Sequence, residues 1–318
     1  MDNTTQALIG GNATIFSNVT ANAANGPTLI NYGNGGLNLS ATTDVSYISL
    51  IQSGGKAVKV GVESSVSVIS VETQNTTAAV LSSANAPVIR NMTNTTGNIA
   101  IEAYDFSLLT PSSGGVVAGK SINLGFSSSL VQLNRNVSAF IGNGSSVSNL
   151  HAELLPVIQS GGNITIQSSV SGNIIPVSLA GSVITKSSKE TGIALPFYPD
   201  NQFGAGVSGS YSEAKVSDRV YAGINGGNIT GFNNNHQVLF IKAINSTSLD
   251  VATGSASFQF EKGRDSTAGI GGAGSYVNYG SIVIAGISNA LIWLDLSSDE
   301  FFAFQFCILV IGDCDERL

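Results

Sequence analysis

The stretch Gly114-Gly115-Val116-Val117-Ala118-Gly119-Lys120-Ser121 fits the phosphate-binding pattern G-x-x-x-x-G-K-[ST] in full. In a loop of that kind, backbone amides cradle phosphates, the lysine reaches the outer phosphate oxygens and the hydroxyl holds magnesium. The chemistry needs a helix directly afterwards, because the helix N-terminus supplies the amides and the dipole. Here the next residues are Ile122-Asn123-Leu124-Gly125-Phe126-Ser127-Ser128-Ser129, which alternate like a strand and are poor helix material. The match therefore reads as a turn between two strands. Gly269-Ile270-Gly271-Gly272-Ala273-Gly274 fits G-x-G-x-x-G, but it too precedes strand-like sequence, which argues against a dinucleotide fold. No cofactor is expected.

Acid–base chemistry has few candidates. His151 and His236 are the only imidazoles, and His236 sits in the turn-like run Asn233-Asn234-Asn235-His236-Gln237. No G-x-S-x-G hydrolase signature occurs. The 20 acidic residues are scattered, so no metal site is assigned. Glu190 with Glu213, and Asp295 with Glu316, have the spacing of neighbouring repeats. Such pairs could serve a polysaccharide-cleaving site as acid and base or nucleophile, but they arise easily by chance and solvated surface charge is the better reading. No catalytic residue is assigned, and the chain is expected not to be an enzyme. Cys307 and Cys314 form a Cys-x6-Cys pair that either closes a disulfide around Gly312-Asp313 or stays as two thiols. Two ligands alone do not make a zinc site.

There are twelve Asn-x-Ser/Thr sequons. Asn12, Asn38, Asn75, Asn91, Asn136, Asn163, Asn228 and Asn245 are the candidate glycosylation sites among them. Two readings stand side by side: a glycosylated outer surface, or turn residues and asparagine ladders of a repetitive fold.

The elements that would position all these residues are short and repetitive. Gly161-Gly162-Asn163-Ile164-Thr165-Ile166 has close relatives at Gly226-Gly227-Asn228-Ile229-Thr230 and Gly10-Gly11-Asn12-Ala13-Thr14-Ile15, with a looser copy at Gly97-Asn98-Ile99-Ala100-Ile101. Each is a turn feeding an alternating apolar–polar run, the pattern of a half-buried strand. Strand starts at Asn12, Gly36, Ala57, Asn98, Ser121, Asn163 and Asn228 are separated by 24, 21, 41, 23, 42 and 65 residues. From Asn12 to Asn228 is 216 residues, or ten steps of 21.6. A fixed period of this size marks a solenoid. The fold expected is all-β: a parallel β-helix with rungs of about 22 residues and a C-terminal cap. An elongated β-sandwich filament subunit is the alternative.

Composition agrees. The 318 residues are 42% hydrophobic and only 10% charged, against roughly a quarter charged in ordinary domains. Glycine is abundant at 37, and Ser, Thr, Asn, Val and Ile dominate the remainder. The net charge of −7, with no Lys/Arg cluster, excludes a nucleic-acid footprint and disfavours an anionic membrane surface. No apolar run reaches the roughly 18–20 residues of a membrane span, and no signal peptide is visible at the start of this chain.

Along the chain, residues 1–195 read as rungs, with Ser64-Ser65-Val66-Ser67-Val68-Ile69-Ser70-Val71-Glu72 as the clearest alternating strand. Residues 196–220 read as a loop excursion, because Pro196-Phe197-Tyr198-Pro199 is followed by a concentration of charge in Ser212–Arg219. Residues 221–296 return to β-repeats. Residues 297–318 carry Phe302, Phe304 and Phe306 on alternate positions and read as a capping hairpin or a strand donated to a neighbouring subunit.

Tyr221-Ala222-Gly223-Ile224-Asn225-Gly226-Gly227 returns as Thr267-Ala268-Gly269-Ile270-Gly271-Gly272-Ala273, 46 residues later. This Ala-Gly-Ile-x-Gly-Gly phrase resembles the glycine-rich repeats of bacterial surface and adhesin-type β-solenoid proteins. The resemblance implies a surface-exposed structural or adhesive protein and carries over no catalytic residues. The expectation is an extracellular, cell-surface or virion protein whose partners are copies of itself or surface glycans. The alternatives are a polysaccharide-acting lyase or hydrolase on a β-helix, and a fibre subunit joined by strand donation.

Overall fold

The computed structural model describes residues 2–10, 14–17, 36–57, 60–81, 88–91, 98–143, 156–187, 193–195, 198–231, 238–262 and 266–293. The described chain is all-β. Its strands are β1 (Asp2–Ile9), β2 (Thr14–Ser17), β3 (Leu37–Ala57), β4 (Val60–Leu81), β5 (Val88–Asn91), β6 (Ile99–Gly119), β7 (Ile122–Gly142), β8 (Val157–Ser160), β9 (Ile164–Ile174), β10 (Val177–Ser187), β11 (Ile193–Leu195), β12 (Tyr198–Gly231), β13 (Leu239–Leu249), β14 (Ala252–Lys262) and β15 (Ser266–Trp293). Among the described residues no helix is long and apolar enough to cross a membrane.

Among the described residues two sheets form, and every pairing but one is parallel. The first sheet runs β1-β4-β7-β12, with β15 on the far side of β12 and with β8, β5 and β2 continuing from the end of β12. The second runs β13-β9-β6-β10-β14, with β3 against β6. The chain alternates between the two sheets, which is the path of a parallel β-helix. A sandwich built from hairpins would instead pair its strands antiparallel. The exception is the short β11–β12 contact, an antiparallel hairpin.

The 22-residue period turns out to be the length of one side, not of one coil. β3, β4, β6 and β7 are 21, 22, 21 and 21 residues long. At about 3.3 Å per residue each side runs about 70 Å. Residues that stack are about three such steps apart: Leu37 on Ile99 and Ile99 on Ile164 (62 and 65 residues), and Val60 on Ile122 (62). Longer connections widen this to 83 between Ile122 and Ala205, and β12 to β15 returns to 63.

Segment 196–220 corrects the sequence expectation. From Phe203 onward it stays in the stack as the central strand β12, paired with β7 on one side and β15 on the other. Its charges alternate, with Lys215 and Arg219 facing outward and Asp218 facing inward, so a charge-rich run is still a strand. The two copies of the repeat phrase do not stack on each other: Ala222-Gly223-Ile224 lies on Ala285-Gly286-Ile287, and Ala205-Gly206-Val207 on Ala268-Gly269-Ile270. The expected cap or donated strand at 297–318 lies outside the described residues.

The interior is arranged as columns of like residues running along the stack. One column is Ala7, Ala78, Ala139, Ala222, Ala285; the next is Ile9, Val80, Ile141, Ile224, Ile287. All of these but the exposed Ala285 at the end of its column join Ile99, Ile101, Ile164 and Ile166 of the second sheet in the larger apolar core. A smaller core holds Ile69, Val71, Leu109, Val131, Leu133, Ile174 and Val216. Beyond it the sheets close on each other, and glycine and serine take most of the inward positions, with Val117, Asn123 and Ile184 the larger buried side chains. A Cβ on Gly125 would stand 2.3 Å from the Gly181 carbonyl oxygen across the gap. Ser67, Ser129, Ser212 and Ser275 make one column there, and Ser127 bonds Ser178 at 2.7 Å from sheet to sheet. At the opposite end the long side kinks at Gly226 (φ 89°) and Asn289 (φ 51°), leading into the short side formed with β8, β5 and β2. Asparagine tolerates this left-handed backbone better than most residues.

Candidate functional site

Of the nominated residues, the phosphate-loop match is placed most clearly. Gly114–Gly119 is the end of β6, Lys120 and Ser121 form a turn, and β7 begins at Ile122. No helix follows, so no amide cradle is built. The G-x-G-x-x-G stretch lies wholly within β15. His151, His236, Glu190, Asp295, Glu316, Cys307, Cys314 and Asn12 lie outside the described residues, as does the side chain of Asn91.

The chemically richest cluster is one the sequence reading did not single out. Gln74, Arg135, Asp218 and Ser281 occupy one register column on β4, β7, β12 and β15. They point between the sheets toward Asp105 and Ser107 of β6 and toward Asn245 and Thr247 of β13. The Arg135 guanidinium meets Asp218 fork to fork, Nε to Oδ1 and Nη2 to Oδ2, both at 2.8 Å. Its Nη1 donates to the Ser171 carbonyl at 2.8 Å and lies 3.8 Å from Asp105 Oδ1. Asp105 accepts from Gln74 Nε2 at 2.7 Å on each oxygen, from Thr76 at 3.2 Å and from Ser107 at 3.2 Å. Asp218 also accepts from Asn245 at 3.0 Å and Thr247 at 2.9 Å.

The side chains of Arg135, Asp105 and Asp218 have no exposed surface. Burial pushes the Asp105 carboxyl above the ordinary carboxylate range, outweighing the lowering by Gln74, Arg135, Thr76 and Ser107. Two carboxylates flanking one arginine resemble a hydrolytic pair on paper. Sealed between two sheets, they are a polar layer that ties the coils together and fixes register.

Both sheets expose aromatic and apolar side chains, among them Phe240, Phe258 and Phe260 of the second, and on the outer face of the first they stand beside an ion pair. Phe126, Tyr211 and Tyr276 are exposed there. Phe126 lies along Gly209 of the next coil, where an added Cβ would meet its ring at 3.2 Å; Tyr211 lies along Gly274 in the same way at 3.8 Å. Glu213 is directly opposite Tyr276 in register, accepts from the Tyr211 hydroxyl at 3.0 Å and pairs with Lys215. The hydrogen bond from Lys215 holds the Glu213 carboxyl below its usual range and raises the lysine. Val60, Val62, Val66 and Val68 extend this face toward one edge, so it is broad, apolar and thinly charged.

The sequons separate into two kinds. Asn38 and Asn136 are exposed, and Asn75 and Asn228 are partly exposed. Asn163 belongs to a corner ladder: its N–H donates to Asn98 Oδ1 at 2.9 Å, and its own Oδ1 accepts from Val238 N–H at 2.9 Å. Asn245 faces the interior and donates from Nδ2 to Asp218, Tyr279 and Ser281.

Fold and surface together define the class as a parallel β-solenoid whose apolar core is crossed by a sealed polar layer, with a broad outer face. No protein-family model, no curated protein and no solved structure matches this chain.

Proposed function

We propose that this protein is a structural or adhesive component of an outer surface, cellular or viral, acting as a rigid β-solenoid that meets glycans or copies of itself. One observation carries the reading most: like residues are stacked in five-deep columns, with the strongest charges locked inside, which makes a stiff framework. Stiffness with a wide, weakly charged exterior suits a scaffold. The glycan-facing surface in this reading is the Phe126–Tyr211–Tyr276 face. Exposed aromatic rings offer flat apolar area to sugar rings, and Glu213 with Lys215 offers hydrogen bonds beside them.

The test is a glycan array probed with the full chain, run beside incubation with soluble polysaccharides. The expected result is binding that weakens at least several-fold in Tyr211→Ala/Tyr276→Ala, with no products released. Release of reducing ends or unsaturated sugars would replace this reading with a polysaccharide-cleaving enzyme.

A further inference from the structure

We propose that copies of this chain stack end on end, the free edge of β15 in one copy receiving β1 of the next. The proposal rests on the scaffold reading and names its partner, a second copy, and the surface it uses. Among the described residues, β15 is paired on one side only, with β12, and β1 on one side only, with β4. Edges of this kind present rows of unpaired N–H and C=O groups that template another strand.

What selects a second copy over another strand is the chemistry of the columns. The stack is bounded by Thr5, Ala7 and Ile9 at one end and by Val283, Ala285 and Ile287 at the other. The column between the outer pair is alanine at all five levels, and the one beside it is β-branched at all five. Setting β1 of a second copy on β15 places Ala7 beside Ala285 and Ile9 beside Ile287, so both columns continue without a change of residue type. Val283 and Ile287 are only partly buried against the apolar core, and a new layer would finish covering them. Both columns face inward, so the same contact extends the core as well as the ladder. The two surfaces are different patches of one chain. The contact is therefore heterologous and does not close on itself, and repetition gives a filament.

The experiment is sedimentation velocity across a concentration series, with electron microscopy, on the full chain and on Ala285→Lys and Ala7→Lys. Each lysine sits at one end of the alanine column and spoils that end alone. Wild type is expected to lengthen with concentration. Each variant alone is expected to stay a single chain while keeping the wild-type circular dichroism. Their equimolar mixture is expected to give two-chain particles and nothing longer, because one good end remains on each. A wild type that stays single at every concentration overturns the proposal, and shows the edge covered within the chain. Assembly that neither lysine disturbs overturns it too. Either result leaves the scaffold reading to the glycan array, which reads binding by a single chain.

Discussion

Arg135 and Asp218 hold the same register position on adjacent strands, and their planar groups meet through two parallel hydrogen bonds of 2.8 Å. In a parallel ladder this is the tightest pairing two side chains can make across neighbouring coils. It sits where no water reaches, so its loss leaves bare charge behind. Arg135→Ala strands Asp218 and Asp105 in the core and is expected to cost about 3–5 kcal/mol. Denaturant unfolding reads this as a lowered midpoint with little change of slope. Replacing Arg135, Asp105 and Asp218 together by Met and Leu is expected to recover most of the loss. A single variant with a wild-type midpoint would show that the layer carries no strength.

The raised pKa of Asp105 has a pH signature. Between the unfolded value of 3.8 and the higher folded one, the folded state holds more protons than the unfolded state. Stability from this group is therefore full below 3.8 and declines as pH rises through the folded value. Melting temperature plotted against pH should fall through that interval in wild type and flatten in Asp105→Asn.

Gly172 is the residue that lets the layer form. Its φ of 141° is unsuited to a side chain, and a Cβ there would stand 2.0 Å from the Ser107 carbonyl oxygen. The preceding carbonyl, of Ser171, is the one Arg135 bonds. Gly172→Ala is expected to destabilise by about 1–3 kcal/mol through backbone strain. Calorimetry on Gly172→Ala beside Gly280→Ala, which would meet nothing within 4 Å, separates strain from a general glycine effect.

The Asn98–Asn163 corner predicts a graded response. Asn163→Ala removes the acceptor for the Val238 N–H, at a cost of about 0.5–1.5 kcal/mol, small because water reaches this corner. Asn163→Asp keeps an acceptor and should recover most of it. Equal losses in the two variants, measured by thermal melts, would remove the ladder from the account.

The all-β class and the parallel stack were legible in turn spacing and alternation, whereas an asparagine ladder was only one of two readings of the sequons. The coil length was not legible, because two long sides of 21 or 22 residues, with a short third side and its connections, repeat faster than one coil. Nor does alternation say which face is inside. In Ser65-Val66-Ser67-Val68 the serines are buried and the valines exposed, since the two sheets lie close together at that level. The polar layer did leave a trace. Arg135 shares its parity with Leu133, Val137, Ala139 and Ile141, and Asp218 shares its parity with Val216, Val220, Ala222 and Ile224. A lone charge on the apolar phase of a strand is the sign of an interior partner. Matching Arg135 to Asp218 also needed the 83-residue offset, which insertions between coils conceal.

The coil length also sets how the chain must fold. The one local pairing among the described residues is the short β11–β12 hairpin. Every parallel ladder joins residues some 60 or more apart, so none of the pairings that build the stack is local. Closing a loop that long costs only a few kcal/mol in entropy, but it must be met before any ladder bond repays it. The first two coils to meet are the slow event, and each later coil lays down on a finished edge. Refolding should accordingly show a lag that a preformed stack, added as seed, shortens.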